Sequence, residues 1–330
     1  MRHAGLDALR LCAAALVLFA HAGALLFTLW PHYDLYLLAG LIGVEAFFAL
    51  SGFLLAGLLL ADPPRGIAQA GGWMIDRLRR VLPGYWLFVL LNLLLWLGLH
   101  GGFPDAVWRH FLLWQNSAAP PGPFHGESWN LPILVLFWLL APLLAGWAAR
   151  RPHPVVALRN ALFVLALLGL LLRGGLVIAV DPAWDEGVRK WLPMRLDACA
   201  WGGIAACLVA EKPGRARGLA WLGVALLLET VWIFATLPRD GAAARVLLFA
   251  LVAAGGAAIL PSLMVGRSAA WLTAAARACF ALYLVNMPLM LLMLAWRPAW
   301  LGVLPATALW LLASLVAALA LERGLLRRWR

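Results

Sequence analysis

About ten mostly apolar runs, each roughly 17–25 residues long, dominate this sequence and leave it few ways to fold. A helix of that length, allowing for tilt, crosses a hydrocarbon core of about 30 Å. The runs are expected at 6–29, 36–60, 81–99, 129–147, 157–180, 194–210, 218–237, 244–265, 273–295 and 299–321. Hydrophobic residues make up 65% of the chain and charged residues 12%; soluble domains carry about 45–50% apolar residues. The reading is an all-α polytopic integral membrane protein, one transmembrane domain over 1–330 with no soluble domain. Ala20-His21-Ala22 looks like a signal-peptidase site. The apolar run continues past it to Leu29, so cleavage there would fall inside the bilayer and the first helix is expected to stay.

An even number of spans puts both termini on one side, and the cations say which. One set of loops and ends holds Arg2, Arg65, Arg77, Arg79, Arg80, Arg150, Arg151, Arg159, Lys212, Arg215, Arg217, Arg267, Arg323, Arg327, Arg328 and Arg330. The other holds Arg109, Arg189, Lys190, Arg195, Arg239, Arg245 and Arg297. The positive-inside rule places both termini in the cytoplasm. That asymmetry accounts for the net charge of +11 without nucleic acid. Cys12, Cys199, Cys207 and Cys279 lie in apolar runs without a Cys-x-x-Cys pair, and read as small buried hydrophobes. No signature of a metal or flavin site is present.

Ionisable residues inside spans are costly and need a reason. In the first span Arg10 and His21 are eleven residues apart. At 100° per residue they return to nearly one face, about 16 Å apart along the axis. Asp7, one turn before Arg10, can pair with it. The stripe thus carries a cation near the cytoplasmic face and a titratable base in the outer half. A signal anchor with a snorkelling arginine and a core histidine would look the same.

Glu45 in the second span lies about 13 Å from the outer surface and His21 about 12 Å by helical rise. Consecutive antiparallel helices would let them touch, the carboxylate setting the imidazole tautomer. Asp76-Arg77-Leu78-Arg79-Arg80 forms a basic loop at the cytoplasmic mouth, followed by Pro83-Gly84-Tyr85. Its arginine forks suit phosphates, and equally suit lipid headgroups or a plain topology signal. Glu127, before Trp129, is expected to face the outer water, and Arg195 to pair with Asp197. Arg173 and Arg277 are expected to snorkel. Phe103 to Trp114 looks amphipathic; Ser117 to Gly126, rich in Pro and Gly, is expected to be irregular.

Taken in order, these segments resemble the membrane-bound acyltransferase-3 family, polytopic O-acyltransferases of surface polysaccharides. Leu6-Asp7-Ala8-Leu9-Arg10 through His21 is similar to its Arg, ten residues, His motif. Gly43 to Phe53 is similar to its second-helix signature, with Glu45 where Asp is usual. Arg77 to Tyr85 resembles its arginine-rich loop and Pro-x-Tyr, and Trp129-Asn130-Leu131 its Trp-Ser-Leu. Phe137 to Pro142, Arg195-Leu196-Asp197 and Ala281-Leu282-Tyr283-Leu284 also match. Two positions depart. Leu134 and Val135 stand where a glutamate usually follows Trp-Ser-Leu, and Asn286 replaces the histidine of Tyr-Leu-x-His.

The resemblance implies transfer of an acyl group, usually acetyl, from cytoplasmic acyl-CoA to a hydroxyl of an extracytoplasmic glycan or lipid-linked sugar. The protein would sit in the inner membrane among its lipids. His21, Glu45 and Glu127 would serve the acceptor end, and Arg10, Arg77, Arg79, Arg80 and Tyr85 the acyl-CoA end. Two rival readings stay open: a transporter of a small acid or lipid-linked sugar, and an inactive structural relative.

Overall fold

The structure, a computed structural model, describes residues 3–326. Arg2, Arg327, Arg328 and Arg330, counted above toward topology, lie outside the described residues. Eleven α-helices follow in order: α1 Ala4–Leu26, α2 Tyr33–Ala61, α3 Ile67–His100, α4 Trp108–Phe111, α5 Asn130–Ala148, α6 Pro154–Val180, α7 Ala200–Glu211, α8 Ala216–Thr236, α9 Ala242–Ile259, α10 Ala270–Trp296 and α11 Val303–Gly324. The described residues contain no strand, only an isolated bridge between His3 and Arg267. Among the described residues ten segments are long and apolar enough to cross a membrane, so this is a multi-pass membrane protein.

Three sequence expectations change. The arginine-rich segment is not a loop: α3 begins at Ile67, so Arg77, Arg79 and Arg80 sit on the same helix as Tyr85, which passes through Pro83 without ending. A helix tolerates the missing N–H when the rest of its ladder and its packing hold. The sixth span is broken. A 3-10 turn, Leu192–Arg195, precedes α7, which starts only at Ala200. The expected amphipathic stretch from Phe103 shrinks to the single turn of α4. Ser117 to His125 is irregular, as its Pro and Gly content requires.

The chain resolves into two compact units. The first holds the described residues of Met1–Val44, Arg79–Val107 and Gly266–Arg330, the second Glu45–Leu78 and Trp108–Val265. Helices α2 and α3 each contribute one part to each unit.

In the first unit α1 packs on α10 and α11. Asp7 meets Thr273, Arg10 meets Cys279 and His21 meets Asn286, so α1 and α10 run parallel. That is the direction two odd-numbered spans of an alternating series must share. Ala22, Leu25, Met290 and Trp310 form a buried apolar cluster joining these helices.

In the second unit α6, α7 and α9 pack mutually, and α8 lies on α9. Small residues set the approach. A Cβ on Gly52 of α2 would stand 1.9 Å from the Cys199 carbonyl oxygen, and one on Gly202 of α7 would stand 1.9 Å from that of Ala49. The two backbones touch there, which glycine alone permits. The segments 108–129 and 181–195 are joined through Asn116, whose Nδ2 donates to the carbonyls of Trp129 and Lys190, both at 2.7 Å. Between spans, burial alone would raise the Asp185 carboxyl, but Arg189 and Lys190 outweigh it and hold the group below its usual range.

Candidate active site

The first unit carries the Arg10–His21 stripe on one uninterrupted helix, so the helical arithmetic of about 16 Å holds. At one end Asp7 is buried, 2% exposed, and its Oδ1 accepts from Arg10 Nη1 at 2.9 Å. Thr273 Oγ1 lies 3.5 Å from the other carboxylate oxygen. The pair aims the arginine fork while its side chain remains 23% exposed. At the other end His21 is half-buried, and its Nδ1 is 2.6 Å from Asn286 Oδ1. The main-chain carbonyl of Asn286 accepts from the indole N–H of Trp310, fully buried on α11.

The remaining donor-end candidates lie on α3. Arg79 and Arg80 are exposed. Arg77, in the second unit, is half-buried: its Nη1 donates to the Trp73 carbonyl at 3.2 Å and its guanidinium lies over the Trp73 ring at 5.0 Å. Tyr85 is fully buried in the first unit.

The expected pairing of Glu45 with His21 is replaced. Glu45, 1% exposed in the second unit, accepts from Arg195 Nη2 at 2.5 Å. Nor does Arg195 pair with Asp197. Asp197 takes a two-pronged bond from Arg173, at 3.0 and 2.9 Å, and Arg173 is fully buried rather than snorkelling. Arg173 also donates to the carbonyls of Val246 and Met194, at 3.0 and 2.8 Å. The physical reason is the break in the sixth span. Unwound backbone between spans tolerates depth only where its carbonyls find donors, and two arginines supply them. Phe249 packs under both guanidiniums, 4.8 Å from that of Arg195 and 5.9 Å from that of Arg173.

Glu127 does not face open water. It sits in the 3-10 turn Gly126–Trp129 with its side chain 11% exposed, 3.0 Å from Nδ1 of buried His125. His125 holds a left-handed backbone, φ 48°, an uncommon state for a residue with a Cβ. No cluster of three or more His, Cys, Asp or Glu side chains that could hold a metal occurs among the described residues.

Four partners escape the sequence reading: Asn286 for His21, Arg195 for Glu45, Arg173 for Asp197 and His125 for Glu127. A signal existed for the second and third. Two arginines and two carboxylates inside apolar runs balance in charge, and buried charges pair. Nothing local announces which pairs with which.

A family model for an acyltransferase domain matches residues 3–323. The chain belongs to the acyltransferase-3 family. No curated protein and no solved structure matches the chain. As an acyltransferase-3 protein it works on an acyl donor, and the α1 stripe carries a cation at one end and a base at the other.

Proposed function

We propose that this acyltransferase moves an acyl group, acetyl in the first instance, from cytoplasmic acyl-CoA to a hydroxyl of an extracytoplasmic carbohydrate, from a place in the inner membrane with both termini inside. The observation carrying this reading is the single unbroken helix α1, with Arg10 oriented by Asp7 at one end and His21 held at the other. A pantetheine arm has about the length of the 16 Å between them. Arg10, with Arg79 and Arg80 on α3, all in the first unit, would hold the phosphates of CoA. Tyr85, buried below the arginines, would shape that wall.

His21 would remove the proton of the attacking hydroxyl, or first carry the acyl group itself; both routes use one ring nitrogen. Glu127, paired with His125 in the second unit, takes no step in this reading. Glu45 leaves the chemistry in this reading. Its carboxylate is enclosed against Arg195, where it holds the second half of α2 to the broken span.

The broken sixth span also favours a second reading, since half-helices at depth mark many transport paths. The buried pairing of its charges argues against an open path there.

The test is turnover of radiolabelled acetyl-CoA into polymer-bound ester by membranes holding the protein. His21→Ala is expected to abolish transfer while inserting normally. Wild-type esterification by a well-expressed His21→Ala protein would remove His21 from the mechanism. Movement of a labelled sugar without ester formation would favour transport.

A further inference from the structure

Asn286 stands on α10 where the resemblance leads one to expect histidine, and its side-chain amide is held at both ends. Nδ2 donates to the Leu282 and Tyr283 carbonyls, each at 2.8 Å. Oδ1 lies 2.6 Å from His21 Nδ1. Amide nitrogen and oxygen are alike in shape, so their order has to follow from the partners. Turned over, the amide would set its oxygen against two helix carbonyls, with no hydrogen between any of them. The oxygen therefore faces the imidazole. An amide oxygen only accepts, so the hydrogen of that contact sits on His21 Nδ1. In the neutral ring the lone pair then resides on Nε2.

We propose that Asn286 is the positioning residue for acyl transfer: it holds His21 as the Nδ1–H tautomer and makes Nε2 the nitrogen that acts. The proposal rests on the reading of His21 given above. In the direct route the Nε2 lone pair takes the hydroxyl proton as the oxygen bonds the thioester carbonyl carbon. The carbon–sulfur bond breaks, and the departing thiolate takes that proton back from Nε2. The Nδ1–H bond to Asn286 persists throughout, so the ring does not have to reorient between steps.

The geometry also says why asparagine suits the position. One short side chain has to donate to two carbonyls on its own helix and accept from a ring on another. Aspartate would aim its second oxygen at the Leu282 and Tyr283 carbonyls. Leucine would fill the space and offer nothing to the ring. Trp310 completes the arrangement. Its indole pins the Asn286 main chain, and its ring packs with Ala22 and Leu25, the α1 residues beside His21. Three helices of one unit thus hold one imidazole.

The experiment is nitrogen NMR on the full chain in lipid nanodiscs, labelled with 15N-histidine and without donor. The His21 signals are assigned by their loss in His21→Gln. The expected spectrum has Nδ1 at the N–H end of the range and Nε2 at the lone-pair end. The opposite tautomer in the wild-type protein overturns the proposal, and needs no variant to fold. For Asn286→Leu the expected result is a mixture of tautomers and a kcat about 10–100-fold lower, the range seen when the hydrogen bond that orients a metal-bound histidine is removed. KM for donor and acceptor should stay within about twofold. Asn286→Asp is expected not to rescue. A folded Asn286→Leu protein with the wild-type tautomer and kcat overturns the role. The two failures separate. A wild-type protein that transfers no acyl group removes the reading of His21, and the role of Asn286 with it. The opposite tautomer in a fully active protein removes the role of Asn286 alone.

Discussion

Glu45→Gln is the substitution for which the structure gives the largest consequence. The second unit encloses two cations, Arg173 and Arg195, and two carboxylates, Glu45 and Asp197, all at most 1% exposed. Their charges cancel. Glutamine keeps the volume and an acceptor oxygen but leaves the cluster with an uncompensated positive charge in an apolar surround. Breaking a buried pair in this way costs about 3–5 kcal/mol. For a protein of a few hundred residues each kcal/mol moves the melting temperature by about 2–4 °C, so the expected loss is about 6–20 °C. The pair itself is not fully satisfied: Glu45 Oε2 and Arg195 Nε have no hydrogen-bond partner among the described residues. An apolar replacement of both partners should therefore cost little. Glu45→Leu with Arg195→Met is expected within about 1–2 kcal/mol of wild type. The assay is thermal unfolding of the detergent-solubilised protein, with acyl transfer measured on the same samples. A double variant as unstable as Glu45→Gln would refute the argument from cancelled charge. A Glu45→Gln protein with wild-type melting and no transfer would return Glu45 to the chemistry.

Two further expectations test the frame and the donor end. Gly52→Ala and Gly202→Ala should each prevent the α2–α7 contact and strongly reduce the folded yield, because a Cβ at either place meets backbone at 1.9 Å. Gly57→Ala, on the same helix with open space around it, should be neutral; equal yields for all three would deny the close approach. Arg79→Ala and Arg80→Ala should weaken acyl-CoA binding by about 1.5–3 kcal/mol per lost charged hydrogen bond, with acceptor affinity unchanged. Unaltered CoA binding in calorimetry would leave both arginines as topology signals.

The lengths and apolarity of the runs were enough to locate the membrane helices, and most expected ends fall within a few residues of those observed. A continuous apolar stretch has few ways to satisfy its backbone in lipid, so local composition decides. The same holds for the bond between Asp7 and Arg10: helical periodicity places them within reach wherever the rest of the chain goes. Helix boundaries failed where local signals are ambiguous. Arg77, Arg79 and Arg80 are polar enough to look like a loop and are good helix formers, so α3 starts fourteen residues before the expected 81.

Partners across helices were not legible. Glu45 and Arg195 are 150 positions apart, and His21 and Asn286 are 265 apart. Depth along a helix can be counted from a sequence; the direction in which a side chain faces another helix cannot. His21 and Glu45 share a depth by that count, yet each is bonded to a different helix or segment. Where α1 meets α10, and where the broken sixth span needs donors for its carbonyls, is a matter of packing among distant segments. That packing chose asparagine rather than a carboxylate to hold the histidine, and turned four buried charges into a frame.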